Sequence, residues 1–418
     1  MEESKVKGQI CRVGSMLLLG MTLAVPGAAF AEEPPAEKPL VKVDMSKGGI
    51  TFGSGDNTLT LGARVQFRYT LDDRDQLDAD IVGEGDGEED GASSAFSIPR
   101  MRLTFKGGMF KPWLKYEFQF ELSNTSGDSS SKIKDAALEF ETCEMAAIKV
   151  GQYKVPFSLQ ELTSSGRQEF VDRAITNAKF VPARDLGVMV TGVTKEKKFG
   201  YSAGTFNGGG ESRAQDDQGF LYVGRVWWDP FGEYKLAESA LEDVKEPILH
   251  VGLALRTGEA IRNTATAGVF EEPDNESAVG LEFAFRQSFF FATAEYFLMS
   301  DEVTNPVAGD DVDSNGWHAQ VGFMVIPKTL ELGLRYAMIE PDEDTDNADV
   351  TEARLVFGYF WHGHNLKFQA DVGQVEYGEN VGSLSALAAR GLPSLGSRLV
   401  TGEELSDLQF RAQVQLAF

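Results

Sequence analysis

The chain has 418 residues and a formal net charge of −25, with 25% of its residues charged. That balance disfavours nucleic acid and other polyanions as surface partners, although it does not describe what lines an interior. The length fits two or three soluble domains or one large β-barrel.

Lys5, Lys7 and Arg12 give a basic start, 13–30 is apolar, and Ala29-Phe30-Ala31 is a small-x-small cleavage site. Residues 1–31 therefore read as a secretory signal cut before Glu32. Cys11 precedes the apolar stretch, so it does not fit a lipoprotein cysteine. Cleavage leaves Cys143 alone, and no disulfide is expected inside the mature chain. Beyond the signal there is no run of eighteen apolar residues, so no transmembrane helix is expected. Barrel strands alternate and escape that test. Residues 32–58, Pro- and charge-rich and then Gly-rich, read as a periplasmic lead-in.

From Leu59 the pattern changes. Leu59, Leu61, Ala63, Val65, Phe67, Tyr69 and Leu71 are apolar, while Thr60, Gly62, Arg64, Gln66, Arg68 and Thr70 fill the other phase. A period of two argues strand rather than helix. The pattern returns near 98–107, 113–123, 133–142, 146–153, 185–193, 199–206, 221–229, 248–257, 277–287, 289–299, 315–326, 330–339, 351–361, 365–375 and 407–418, which makes sixteen strands. Most approach the roughly 9–11 residues that a tilted strand needs to cross a bilayer.

Three regularities favour a membrane barrel over a secreted sandwich. Connections after odd strands are mostly long and often acidic, as in 72–94, 207–219, 301–314 and 340–350. Those after even strands are mostly short, with 230–247 the exception. Outer-membrane barrels show this alternation between outer loops and periplasmic turns. Trp113, Trp227, Trp228, Phe289, Trp361 and Phe418 mark the periplasmic strand ends, and Tyr69, Trp317 and Tyr336 the outer ends, as two aromatic girdles. The apolar phase carries almost no charge at mid-strand, where Lys or Arg facing lipid costs about 2–4 kcal/mol. The expected fold is an all-β, 16-stranded antiparallel transmembrane β-barrel over 59–418.

Between the strands at 146–153 and 185–193 lie roughly thirty residues that are neither a tight turn nor a good amphipathic helix. A connection of that length is usually functional or disordered. Here Phe157, Leu159, Leu162, Phe170, Val171, Ile175 and Phe180 offer apolar surface, and Lys154, Arg167, Arg173, Lys179 and Arg184 face Glu161, Glu169 and Asp172 in number. The segment at about 154–184 is expected to fold into the barrel and narrow it.

A sixteen-stranded lumen is water-filled, so the polar phase is its wall. Fourteen basic residues fall on that phase: Arg64, Arg68, Arg100, Arg102, Lys106, Lys115, Lys149, Arg225, Arg256, Arg286, Arg335, Arg354, Lys367 and Arg411. Ten acidic residues share it, from Glu117 to Asp371. The acid of the chain is thus placed in loops; 72–90 alone holds ten carboxylates, read as a solvated acidic loop. Arg64, Arg68, Arg100, Arg102, Lys106 and Lys115 lie on three consecutive strands and form one wall. Such Arg and Lys ladders favour anions in pores.

Enzyme and metal readings find little support. Asp311, Asp313 and Asn315 match the start of a calcium loop, but the position for the bidentate Glu is Gly322. His250 and His318 face the lumen by phase, while His362 and His364 sit in a turn. No Gly-x-Ser-x-Gly, helical His-x-x-x-His or Gly-rich phosphate loop occurs. No catalytic residue, metal or cofactor is expected.

The segments starting at Arg100 (RMRLTFKG), Lys132 (KIKDAALEF), Val150 (VGQYKVPFSLQELTSS), Pro182 (PARDLGV) and Tyr222 (YVGRV) resemble the phosphate-selective porin O and P family. The resemblance is specific from about 97 to 230 and looser to Phe418. It implies a trimeric sixteen-stranded outer-membrane porin with the third outer loop folded into the lumen, the loop here at 154–184. Family members that bind phosphate use an arginine ladder, and Arg173 and Arg184 fall in matching loop segments, with Arg167 and Lys179 as weaker candidates. The acidic outer loops depart from the lysine-rich vestibules of those members. The alternating last strand ending in Phe418 resembles the signal that barrel-assembly machinery reads.

The expected function is diffusion of small hydrophilic solutes across the outer membrane of a Gram-negative-type bacterium, with preference for small anions such as phosphate. Expected partners are outer-membrane lipid, lipopolysaccharide and two further copies of the chain, and not nucleic acid. A non-selective porin and a structural or adhesive barrel of little conductance are the alternatives. A barrel hydrolase would depend on His250 or His318.

Overall fold

The protein is described by a computed structural model that covers residues 42–44, 49–75, 92–123, 132–143, 145–213, 219–260, 274–302, 311–385, 387–393 and 402–418. The signal at 1–31, most of the lead-in and most of the acidic loop at 72–90 lie outside the described residues.

Side-chain alternation sets the architecture. The strands are β1 (Lys42–Asp44), β2 (Ile50–Ser54), β3 (Asn57–Arg74), β4 (Ala92–Met109), β5 (Lys111–Glu121), β6 (Lys132–Cys143), β7 (Ala146–Lys154), β8 (Arg184–Val193), β9 (Phe199–Phe206), β10 (Leu221–Trp228), β11 (Val244–Ala260), β12 (Asp274–Ser288), β13 (Phe290–Glu302), β14 (Val312–Ile326), β15 (Leu330–Glu340), β16 (Val350–His362), β17 (Leu366–Tyr377) and β18 (Leu405–Ala417). From β3 to β18 each strand pairs antiparallel with the next, and β18 pairs with β3. Those sixteen strands form a closed barrel. Closure leaves no free edge, as a bilayer demands. Phe418 completes the seam by exchanging backbone hydrogen bonds with Ala63, both at 3.0 Å.

Burial is inverted relative to a water-soluble protein. Phe67, Phe118, Leu138, Leu253, Leu334, Leu355 and Leu416 are exposed, while Gln66, His250, Glu282, Gln320, Arg335, Lys367, Asp371 and Gln413 are buried. An apolar outside and a polar inside are what a lipid-facing barrel requires.

The lead-in is more structured than its sequence indicates. β2 forms a tight hairpin with the start of β3, where Ser54 pairs with Asn57, and β1 pairs with β2. Trp227 also departs from expectation. Neighbours on a strand point to opposite faces, so Trp228 is exposed while Trp227 turns inward and lies under the Arg225 guanidinium, 4.6 Å from its carbon to the ring centre. Cys143 is the last residue of β6. Cys11, the other cysteine, lies outside the described residues, and the expectation of no disulfide concerned only the chain after cleavage.

The connection between β7 and β8 holds two short helices, α1 (Leu159–Leu162) and α2 (Ile175–Phe180). Ser158 starts α1 by accepting the Glu161 N–H at 3.1 Å, a side-chain N-cap. The connection packs on an apolar patch of the inner wall. Val155, Phe157, Phe180 and Val181 meet Met189, Val223, Ala254, Ala278, Phe297, Met299 and Ile339 in one buried cluster. Phe180 stacks on Phe297 with ring centres 5.4 Å apart. The inner phase is therefore apolar where this segment rests on it, within a wall that is mostly polar.

Candidate functional site

The first cationic group is built from adjacent strands. Arg64 on β3 pairs directly with Arg102 on β4, and Gln66 pairs with Arg100. Like charges opposite each other are unfavourable unless something lies between them. Here the β7–β8 connection supplies it. Arg64 donates from Nη1 to Ser164 Oγ at 3.0 Å and from Nη2 to Ser165 Oγ at 3.1 Å. Arg102 reaches Ser165 Oγ at 3.3 Å and Glu121 at 2.7 Å. Arg68 and Arg100 each meet one oxygen of Asp172 at 2.6 Å. Burial alone would raise the Asp172 carboxyl, but Arg100, Arg68 and Arg411 outweigh it and hold it well below the usual carboxylate range. Four guanidiniums thus share two carboxylates, and Arg64 has no carboxylate partner among the described residues. Asp172 keeps 29% of its side chain exposed, so this corner stays open to solvent.

Other expected residues occupy different places. Lys106, Lys115 and Lys149 line a separate cavity of about 340 Å³ with Thr58, Thr60, Glu117 and Glu139. Opposite charges alternate across it, because Lys106 pairs with Glu117, Lys115 with Glu139, and Glu139 with Lys149. Lys115 also lies 3.8 Å from Glu141 with both side chains nearly half exposed, and Lys149 sits over the Tyr153 ring. Arg225 belongs to a third group. It binds Glu282 at 2.6 Å, and His250 lies between Asp229 at 2.7 Å and Glu282 at 3.2 Å.

Residues of the β7–β8 connection are more fully paired than their charge indicates. Arg173 meets Glu161 at 3.0 Å and donates to the carbonyls of Gln160, Glu161 and Thr163. Arg184 grips both oxygens of Asp135 at 3.0 and 3.1 Å. Lys179 is buried and donates to the Ala388 carbonyl at 2.7 Å. Arg167 is exposed, and its backbone carries the contacts described below.

That connection also touches inward side chains far around the ring. Glu295 on β13 accepts the N–H groups of Leu159 and Gln160 at 2.8 and 2.9 Å. Thr176 bonds His318 on β14 at 2.8 Å, and Asp371 on β17 accepts the Val171 N–H at 3.1 Å. Lys367 and Gln415 donate to the carbonyls of Gln168 and Gly166. From the opposite end, the long connection after β10 turns inward to meet it, with Glu238 N–H donating to Arg167 O and Glu169 N–H to Glu238 Oε2, both at 2.8 Å. The odd length of 230–247 was the one sequence signal for this. Ser164 and Ser165 were not singled out, and Asp172, though named, was not matched to Arg68 and Arg100, because these partners come from distant parts of the chain.

Comparison with known proteins gives one direction. The family model described as "Phosphate-selective porin O and P" matches residues 63–385. An uncharacterized protein of Aquifex aeolicus (strain VF5) is 24% identical over 404 residues, covering 83% of this chain and 92% of its own length. Among solved structures, the anion-selective porin from Comamonas acidovorans superposes with a TM-score of 0.58 at 15% identity, covering 87% of this chain and 100% of that one. The outer membrane channel DcaP of Acinetobacter baumannii gives 0.54 at 13% identity, covering 89% and 100%. At these identities the structures speak for the fold alone.

Proposed function

Since the chain belongs to the phosphate-selective porin O and P family, we propose that this outer-membrane porin passes small anions, phosphate-like ions among them, in preference to cations. The narrow zone in this reading lies between the β3–β4 wall and the segment at 154–184. Arg64 is the observation that carries it. Its guanidinium faces Arg102 and finds hydroxyl partners rather than a carboxylate. An unneutralised guanidinium beside two hydroxyls is a fit surface for an oxyanion, because planar donors and hydroxyls both suit phosphate oxygens. The Lys106, Lys115 and Lys149 cavity is a weaker waypoint, as its carboxylates alternate with its cations.

Single-channel recording tests this. Phosphate added to chloride solution should reduce the chloride current by occupying the narrow zone, and Arg64→Ala should remove that block. A current insensitive to phosphate in both proteins would leave a general porin. The filling of the ring by the connections after β7 and β10 favours a second reading, a barrel of little conductance, which the same recording separates by its amplitude. Export by cleavage before Glu32, recognition of the Phe418-terminated strand by assembly machinery, lipopolysaccharide around the outer loops and a homotrimer belong to the same proposal.

A further inference from the structure

Glu169 is wholly buried, and neither of its carboxylate oxygens has a hydrogen-bond partner. It lies in a pit that the wall makes by omitting side chains. Gly322 on β14 and Gly333 on β15 are direct cross-strand partners. A Cβ on Gly322 would stand 1.9 Å from Glu169 Oε1, and one on Gly333 would stand 2.2 Å from it. Nothing in the pit donates to the carboxylate. The same point above Gly322 is 3.1 Å from Glu331 Oε1, another oxygen with no hydrogen bond. Glu238 contributes a third carboxylate, already accepting the Glu169 N–H.

The groups facing Glu169 come from three elements: Glu331 and Arg335 project from β15, Glu238 from the 229–243 connection and Lys367 from β17. Arg335 is engaged with Glu352 at 2.7 Å and with the Phe170 ring. Lys367 donates to Gln168 O at 2.8 Å, and His364 to Glu238 O at 3.1 Å. Glu331 Oε2 accepts from Ser239 Oγ at 2.6 Å, which ties the 229–243 connection to the same spot. Among the described residues no three acids or histidines are arranged to hold a metal ion. Burial, with Glu331 and Glu238 beside it, pushes the Glu169 carboxyl well above its ordinary range; Arg335 and Lys367 oppose this only in part.

We infer that Glu169, seated in the glycine pit as the neutral acid, and the 229–243 connection, bonded to 167–169, form a latch that pins the tip of the inward segment across the channel and opens when Glu169 loses its proton. The inference rests on reading the ring as a channel. An ionised carboxylate in this pit meets two other acids and makes no hydrogen bond, with Arg335 and Lys367 engaged elsewhere, and the penalty for burying it exceeds what Lys367, Gln369 and Gln415 gain from the carbonyls of 166–169. The sign follows. Unlatched, Glu169 titrates in the ordinary carboxylate range; latched, it titrates much higher, so the latch weakens about tenfold per pH unit between the two.

Conductance of the full-length purified protein in planar bilayers should therefore rise from pH 5 to pH 9. Glu169→Gln, a neutral isostere, should stay low throughout. Gly322→Ala, which fills the pit, should be high throughout. An equal rise in Glu169→Gln, or a wild-type profile in Gly322→Ala, overturns the latch while leaving the porin reading intact. If no protein conducts at any pH, the porin reading fails and the latch is read by hydrogen exchange at one fixed pH. The N–H groups of 166–170 should then exchange about tenfold faster in Gly322→Ala than in wild type, and equal rates would overturn it.

Discussion

The wall from β3 to β7 and the wall from β14 to β18 are lined by the same residue types and differ in how completely their charges are paired. On the second, charges close on one another. Arg335 binds Glu352 at 2.7 Å, Glu352 binds Arg354 at 2.8 Å, Arg354 reaches Asp371 at 3.3 Å, and Asp371 holds Arg411 at 2.8 Å. All five are buried. On the first, Arg64 is left with serine hydroxyls, and Arg68 and Arg100 share one carboxylate. Charge count does not distinguish these walls. Pairing does, because a chain of alternating signs has little external field, whereas an incompletely neutralised cluster projects one into the channel.

The comparison can be broken by exchanging the states. Asp371→Asn on the closed wall should leave Arg354 and Arg411 buried and underpaired, at a cost of about 3–5 kcal/mol. Denaturant or thermal unfolding in detergent should show that loss, and ion selectivity should move further toward anions, since the freed guanidiniums add to the field in the channel. Arg64→Glu on the open wall should do the reverse. A unit charge acting over about 5 Å at an effective dielectric near 20 is worth about 3 kcal/mol, so the anion-to-cation permeability ratio should fall by at least about tenfold with a modest change in stability. Lys149→Ala sharpens the contrast from the weak side. Its cavity is half open to water and already balanced by Glu139, and the ratio should change less than about threefold. A larger change there would shift the selective zone away from Arg64.

The barrel is legible in the sequence because a period of two and the parity of loop lengths are local properties. Sixteen strands and a polar inward phase follow from them, whereas the expectation for 154–184 rests on the length of that connection and its apolar and basic residues. What was not legible depends on distance along the chain. Arg68 and Asp172 are 104 residues apart, and nothing in the spacing of either marks the other. Arg173 and Arg184 illustrate the consequence. The family resemblance placed them as anion ligands, but Glu161 and Asp135 hold them. The apolar seat under Phe157 and Phe180 was hidden because Phe297 and Met299 fall on the phase that is mostly polar. Gly322 stood out in sequence only as a failed calcium position; its meaning is the space it leaves for Glu169.

The central claim is that incomplete pairing on the β3–β4 wall, and not the net charge of −25, governs what passes. The reversal potential of the wild-type protein across a planar bilayer with a potassium chloride gradient reads it directly. The account predicts a potential of the sign set by chloride, and a potential of the sign set by potassium would contradict it.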